Sequence, residues 1–282
     1  MVYSQPQYQL VISPSTSSFF APSSSLNTSF LDYPLTRIHT VLTRSNMAIN
    51  AKMEPKAGDA VTPSPATSNK PVVCVFCGAS GGNSPAHLAA ARELAQALHE
   101  NNMKLVYGGG TVGIMGEVAK TLVSLAGPDA VHGIIPEALV KYERDYKEGA
   151  PLDSVIDEST FGRTTVVADM HSRKQAMARE VIDGGEGGGF VALSGGYGTM
   201  EELMEVTTWN QLGIHARGVI VFNVEGYYDG LLQWVRTAVK SGFIANNNSN
   251  IMIEAKTGAE CVESLKNYQN AEGRMKLEWN QK

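Results

Sequence analysis

The stretch Phe190-Val191-Ala192-Leu193-Ser194-Gly195-Gly196-Tyr197-Gly198-Thr199-Met200-Glu201-Glu202-Leu203 reads as a short apolar strand, a glycine loop and the opening of a helix. Glycines at 195, 196 and 198 predict a backbone that takes φ > 0 and lets a ligand approach closely. The helix behind them aims its unpaired N–H groups and positive dipole end at the loop, which suits a phosphate or another anion. Glu202 then falls within about a turn of that pocket. A carboxylate placed beside a bound phosphate predicts chemistry on a nucleotide, not binding alone. Two plainer readings compete. Thr199 and Glu202 fit a Thr-x-x-Glu capping box, and Glu201, Glu202 and Glu205 suit an acidic first turn. Spacing alone favours the cap. The glycine density, and a second cluster at Gly108-Gly109-Gly110, weigh against it.

Working outward, strand and helix patterns alternate. Apolar, β-branched runs predict strands over 72–76, 104–107, 130–135, 190–193, 219–222 and 251–254. Helical patterns cover 85–100, 113–126, 162–182 (with Met170, Ala176 and Met177 on one side), the segment from the glycine loop to Gly213, 227–241 and 259–268. A charged connection fills 137–160. Short strands separated by long helices predict an α/β fold, a Rossmann-like doubly wound parallel sheet with helices on both faces. The glycine loops 78–82, 108–110 and 195–198 each follow a strand, so all three belong at the carboxyl edge, where such sheets bind ligands. Gly108-x-Gly110-x-x-Gly113 matches a dinucleotide fingerprint only after the second strand, and no Walker A sequence occurs. NAD(P) and ATP are therefore disfavoured, and no cofactor or metal is expected. Cys74-x-x-Cys77 lies within an apolar strand and no second pair completes a metal site, so Cys74, Cys77 and Cys261 read as core residues.

A net charge of −5 argues against a general nucleic-acid binder. No run of about 18 apolar residues occurs, so no membrane partner is expected. Residues 1–70 hold seven of the twelve prolines and no sustained periodicity, and are expected to be a disordered Ser/Pro-rich extension ahead of one domain over 71–282. Residues 1–53 carry one acid, Asp32, against Arg37, Arg44 and Lys52. That composition loosely resembles a mitochondrial transit peptide but lacks an Arg-rich amphipathic helix. The cytoplasm is the expected location.

Arg173 and Lys174 are neighbours on a predicted helix and diverge by about 100°, so they serve different partners. One suits bidentate contact with a carboxylate or phosphate, the other a point charge. The plain alternative is a solvated basic face. His171 reads as structural before it reads as a general base. Lys174 lacks the apolar surroundings a Schiff-base lysine needs.

Residues 194–202 match the signature PGGxGTxxE except at the first position. With FCGAS (76–80), YGGGTVGIMG (107–116), IPEAL (135–139), ADMHSRKQAM (168–177) and EVTTWNQLGIH (205–215), the chain resembles the LONELY GUY (LOG) family of cytokinin-activating phosphoribohydrolases, also labelled "lysine decarboxylase-like". The matches run in order through nearly all of 71–255. The resemblance implies a homodimer or an assembly of dimers. It also implies hydrolysis of N6-substituted adenosine 5′-monophosphates to free base and ribose 5-phosphate, with AMP itself left open as a substrate. Carried over by position, Arg173 and Glu202 form the catalytic pair, while Glu143, Lys174, Gly195, Gly196, Tyr197, Gly198, Thr199, Met200, Glu201 and Thr208 bind substrate. The alternative is a nucleotide-binding module of the same fold without hydrolase activity. Two departures stand out. Ser194 replaces the motif's proline, which should loosen the loop entry. Residues 183–189, Asp-Gly-Gly-Glu-Gly-Gly-Gly, read as an inserted flexible surface connector away from the chemistry.

Overall fold

Strand β1 (Val72–Phe76) is buried along its whole length, which explains its unbroken run of apolar residues. Val73 and Val75 face one hydrophobic core; Val72, Cys74 and Phe76 face another on the opposite side of the sheet. The computed structural model describes residues 69–143, 155–277 and 279. Apart from its last two residues, the expected disordered extension lies outside the described residues, as does part of the 137–160 connection.

After β1 come α1 (Pro85–Glu100), β2 (Lys104–Tyr107), α2 (Gly113–Ala126), β3 (Val131–Pro136) and the short α3 (Glu137–Val140) and α4 (Glu158–Phe161). Then follow β4 (Arg163–Val167), α5 (Met170–Asp183), β5 (Gly189–Ala192), α6 (Tyr197–Gln211), β6 (Gly218–Phe222), α7 (Asp229–Lys240), β7 (Met252–Ala255) and α8 (Gly258–Lys266). The strands form one sheet in the order β4-β3-β2-β1-β5-β6-β7, and every pairing is parallel. The chain winds outward from β1 through β2, β3 and β4, then returns to β5 on the other side of β1. The predicted doubly wound Rossmann-like sheet is the one observed, with its switch point between β1 and β5.

One element departs from the expectation. The helix predicted over 162–182 is two elements, strand β4 and helix α5. Thr164, Thr165, Val166 and Val167 are β-branched and lose rotamer freedom in a helix, and they pair in register with 133–136 of β3. Asp169 then caps α5 by accepting from the Ser172 amide at 2.8 Å. As an edge strand, β4 is only partly covered, so its sequence lacks the continuous apolar signature of the central strands. On α5, Met177, Ala178 and Val181 are buried whereas Met170 is exposed.

The connector over 183–189 is also held more firmly than its glycine content suggested. The Arg217 guanidinium donates to the carbonyl oxygens of Ile182, Gly184 and Gly185 at 2.7, 2.7 and 2.8 Å. The Gly185 amide donates to Lys70 at 3.1 Å. The connector lies ahead of β5, at the edge of the sheet opposite the glycine loops. The three cysteines are free and buried, with Cys74 and Cys77 in different cores.

Candidate active site

Because β2, β1 and β5 are adjacent and parallel, the three glycine loops emerge side by side at the carboxyl edge. They interlock through the backbone. The Gly78 amide donates to the Ser194 carbonyl at 3.0 Å, and the Gly78 carbonyl accepts from the Ile114 and Met115 amides at 3.1 and 3.2 Å. Gly113 sits at φ +60°, and a Cβ there would fall 2.3 Å from the Ala79 carbonyl carbon, so this crossing admits only glycine.

The loop before α6 works differently from its sequence expectation. None of Gly195, Gly196 and Gly198 adopts a positive φ. Gly195 is required by proximity, since a Cβ would lie 2.1 Å from Thr199 Oγ1. Around Gly196 and Gly198 nothing stands within 4 Å of that position, which leaves the loop open on one side. Helix α6 is capped by Gly196 with no side-chain hydrogen bond and has no acid in its first turn. The capping-box and acidic-turn readings therefore both fail. Thr199 and Glu202 sit too far into the helix to cap it, and Glu202 turns instead toward α5.

There Arg173 Nη2 donates to Glu202 Oε1, and both side chains are almost fully enclosed, at 11% and 8% exposure. Burial raises the Glu202 pKa above its ordinary value, and the Arg173 charge opposes that rise. Arg173 Nη1 also lies beside Gly108, 3.4 Å from where a Cβ would sit. Its Nε is buried without a partner among the described residues. Lys174, turned away from Arg173 as the helical period requires, donates to Glu201 at 2.7 Å and Glu205 at 3.2 Å. The Glu201 hydrogen bond raises the Lys174 pKa. His171 is exposed.

The remaining predicted residues divide. Glu143 reaches the second glycine loop, accepting from the Thr111 amide at 3.1 Å and from the Thr111 hydroxyl. Tyr197 is 97% exposed at the mouth of the crevice. Thr199 is buried, and Met200 packs against the core with its amide spent on the Gly196 carbonyl at 3.1 Å. Thr208 is exposed seven residues beyond Glu201, about 10 Å along α6, with its hydroxyl bonded to the Met204 carbonyl. The structure thus gathers Arg173, Lys174, Glu201, Glu202, Glu143 and the loop 195–198, and leaves Thr208 apart.

Sequence reading missed the residues that brace the loop. Tyr228 Oη donates to the Leu193 carbonyl at 2.7 Å, Tyr227 Oη donates to the Gly195 carbonyl, and the Ser194 hydroxyl pairs with His87 Nδ1 at 2.9 Å. No local pattern marks these residues, which lie 35, 32 and 107 positions away from the groups they hold. A larger concavity, about 940 Å³, opens at the amino edge and is lined by Val72, Lys104, Arg163, Arg179 and Asp183. Arg163, Arg179 and Asp183 are exposed there, so the buried charge pair, not the size of the hollow, makes the carboxyl edge the candidate site.

A protein-family profile described as "Possible lysine decarboxylase" matches residues 115–265. The cytokinin riboside 5′-monophosphate phosphoribohydrolase LOG1 of Arabidopsis thaliana is 42% identical over 196 residues, covering 70% of this chain and 83% of that protein. The chain belongs to the LONELY GUY family. A "Bifunctional cytokinin biosynthesis protein" of Fusarium pseudograminearum (strain CS3096) is 53% identical over 216 residues, 76% of this chain. This chain spans 44% of that relative's length. Among solved structures, a molybdenum cofactor carrier protein from Chlamydomonas reinhardtii aligns at a TM-score of 0.47 and 17% identity, over 70% of this chain and 96% of its own. A likeness that distant bears on neither ligand nor activity. Among the described residues no helix is long and apolar enough to cross a membrane.

Proposed function

We propose that this LONELY GUY family member hydrolyses the N-glycosidic bond of cytokinin riboside 5′-monophosphates, releasing the free N6-substituted adenine and ribose 5-phosphate. One observation carries the reading: the enclosed Arg173–Glu202 pair stands at the crevice into which the glycine loop and the α6 N-terminus face. The names of the plant relatives support the same substrate class.

In the reaction, water forms a bond to the anomeric carbon as the bond to the base nitrogen breaks, and the base leaves with the bonding electrons and takes up a proton. Positive charge develops on the ribose ring, as in other glycosidic cleavages. Glu202 supplies the opposing negative charge or orients the attacking water, and both roles need it ionised. Burial works against ionisation, and Arg173 works for it. Arg173 Nε is buried and unpartnered among the described residues, so Nη2 is what fixes the guanidinium on Glu202. The open amides at the α6 N-terminus hold the 5′-phosphate and so convert binding energy into orientation of the sugar. The predicted pH dependence has a definite sign. Activity falls as pH drops through a Glu202 pKa lying above the ordinary 4.5.

The decarboxylase label calls for a lysine that attacks a carbonyl as a free amine. Lys174 fits that role poorly, because Glu201 and Glu205 raise its pKa and keep it charged. We further propose a cytoplasmic homodimer. The family resemblance is what supports the dimer, and Thr208, exposed on α6, remains a proposed substrate-binding position. Sedimentation of the purified chain tests the assembly.

The deciding experiment incubates the protein with N6-isopentenyladenosine 5′-monophosphate, AMP and the unphosphorylated riboside, and separates the products by chromatography. Free base from a monophosphate but not from the riboside is expected. Substrate bound and recovered whole would establish the binding module instead.

A further inference from the structure

We infer that His87 and Ser194 act as positioning residues that fasten the entry of the phosphate loop, an inference that rests on the function proposed above. Three consecutive residues at the end of β5 are each tied to a different group. The Leu193 carbonyl accepts from Tyr228 Oη at 2.7 Å, the Ser194 hydroxyl pairs with His87 Nδ1 at 2.9 Å, and the Gly195 carbonyl accepts from Tyr227 Oη. The three rings brace one another. His87 meets Tyr227 edge-on with centroids 5.8 Å apart, and Tyr227 meets Tyr228 edge-on at 5.0 Å. One residue further on, from Gly196, the surroundings open. The bracing therefore ends where the anion-facing segment begins.

Ser194 is the residue that departs from the signature's proline. Proline restrains the backbone by its own ring and needs no partner. A serine leaves φ free, so restraint at this position has to come from outside. Ser194 is 5% exposed, and its hydroxyl has one hydrogen-bond partner, His87, among the described residues. His87 sits in the first turn of α1, which follows the first glycine loop and is capped by Ser84. The His87–Ser194 bond therefore joins the first glycine loop's helix to the third glycine loop across the switch point. It supplies from α1 what the motif elsewhere carries in its own backbone. The expectation that Ser194 loosens the loop is met by a compensating contact 107 residues away in sequence.

The test is a double-mutant cycle with a rescue. Ser194→Ala removes only the hydroxyl, and His87→Phe keeps a ring against Tyr227 while removing Nδ1. KM for N6-isopentenyladenosine 5′-monophosphate and kcat are measured, together with the dissociation constant of AMP by calorimetry and Tm. Each single variant is expected to weaken monophosphate binding about fivefold, the worth of one net hydrogen bond, with kcat and Tm little changed. The double variant should be no worse than either single one. Ser194→Pro in the His87→Phe background should restore binding. Unchanged AMP affinity in Ser194→Ala, additive losses in the double variant, or no rescue by proline would each overturn the inference. Because AMP binding is read independently of turnover, a wild-type protein that binds AMP but releases no base would reject the proposed function while still deciding this one.

Discussion

Two arginines, at opposite edges of the same sheet, show how one side chain is committed to structure and another is left able to react. Arg217 meets the glycine-rich connector at the amino edge and gives its guanidinium to three backbone carbonyls. Arg173 meets the glycine loops at the carboxyl edge and has a single carboxylate partner, Glu202, with its Nε unpartnered among the described residues. Both arginines stand beside glycine-rich backbone, so composition does not separate them. What separates them is whether the neighbouring backbone offers acceptors or donors. The connector turns carbonyls toward Arg217, whereas the loop before α6 ends in a helix N-terminus that presents N–H groups and wants an anion.

The comparison breaks most readily at the reactive edge. Glu202→Gln is expected to lower kcat/KM for a cytokinin monophosphate by about 10³-fold, as for loss of a group that acts on transition-state charge, with circular dichroism unchanged. Arg173→Ala should follow it closely. Retained turnover in both variants would remove the distinction between the two arginines. At the other edge, Arg217→Met leaves three carbonyls without their charged donor and should cost about 3 kcal/mol of unfolding free energy. The folded fraction should keep a normal KM. Denaturant melts and kinetics on the same preparation check both halves of that statement.

A pH titration sharpens the structural side. His215 is buried, donates Nε2–H to the Val206 carbonyl at 2.9 Å and accepts at Nδ1 from the Arg217 amide at 3.1 Å. Burial lowers its pKa from 6.5 to about 4. Since the unfolded chain binds the proton more readily in that interval, stability is full above pH 6.5 and falls as pH drops toward 4. The His215 share amounts to about 3 kcal/mol. His215→Gln should flatten that part of the stability profile relative to the wild type. The smallest effect is expected at Lys174. Its bonds to Glu201 and Glu205 lie near the surface, so Lys174→Met should shift stability by about 1 kcal/mol or less, and the unfolding midpoint reads it directly.

Much of the fold was legible in the sequence. Central strands such as β1 and β6 are covered on both faces, so their sequences are continuously apolar, and helices such as α1 carry a proline start and an apolar stripe. β4 was not legible, because an edge strand has no need of that signature and its β-branched residues sat ahead of a helical pattern. The residue types that the structure gathers at the candidate site were legible as well. Arg173, Glu202 and the glycine loop were all marked, though the mode of action of the glycines was not. Local spacing suggested positive φ and a capping box, and close packing and a long-range ion pair replaced them.

By itself the sequence determined the alternation of strand and helix, the placement of three glycine loops after three strands and the divergence of Arg173 from Lys174. These rest on local periodicity and on backbone sterics, which act within a few residues. Only the tertiary structure decided that Glu202 pairs with Arg173 instead of capping its own helix, that Arg217 pins the connector, and that His87 reaches Ser194. Those contacts join residues 29, 32 to 35 and 107 positions apart. Each depends on which strands lie adjacent in the sheet, a property of the whole chain that no short stretch of it encodes.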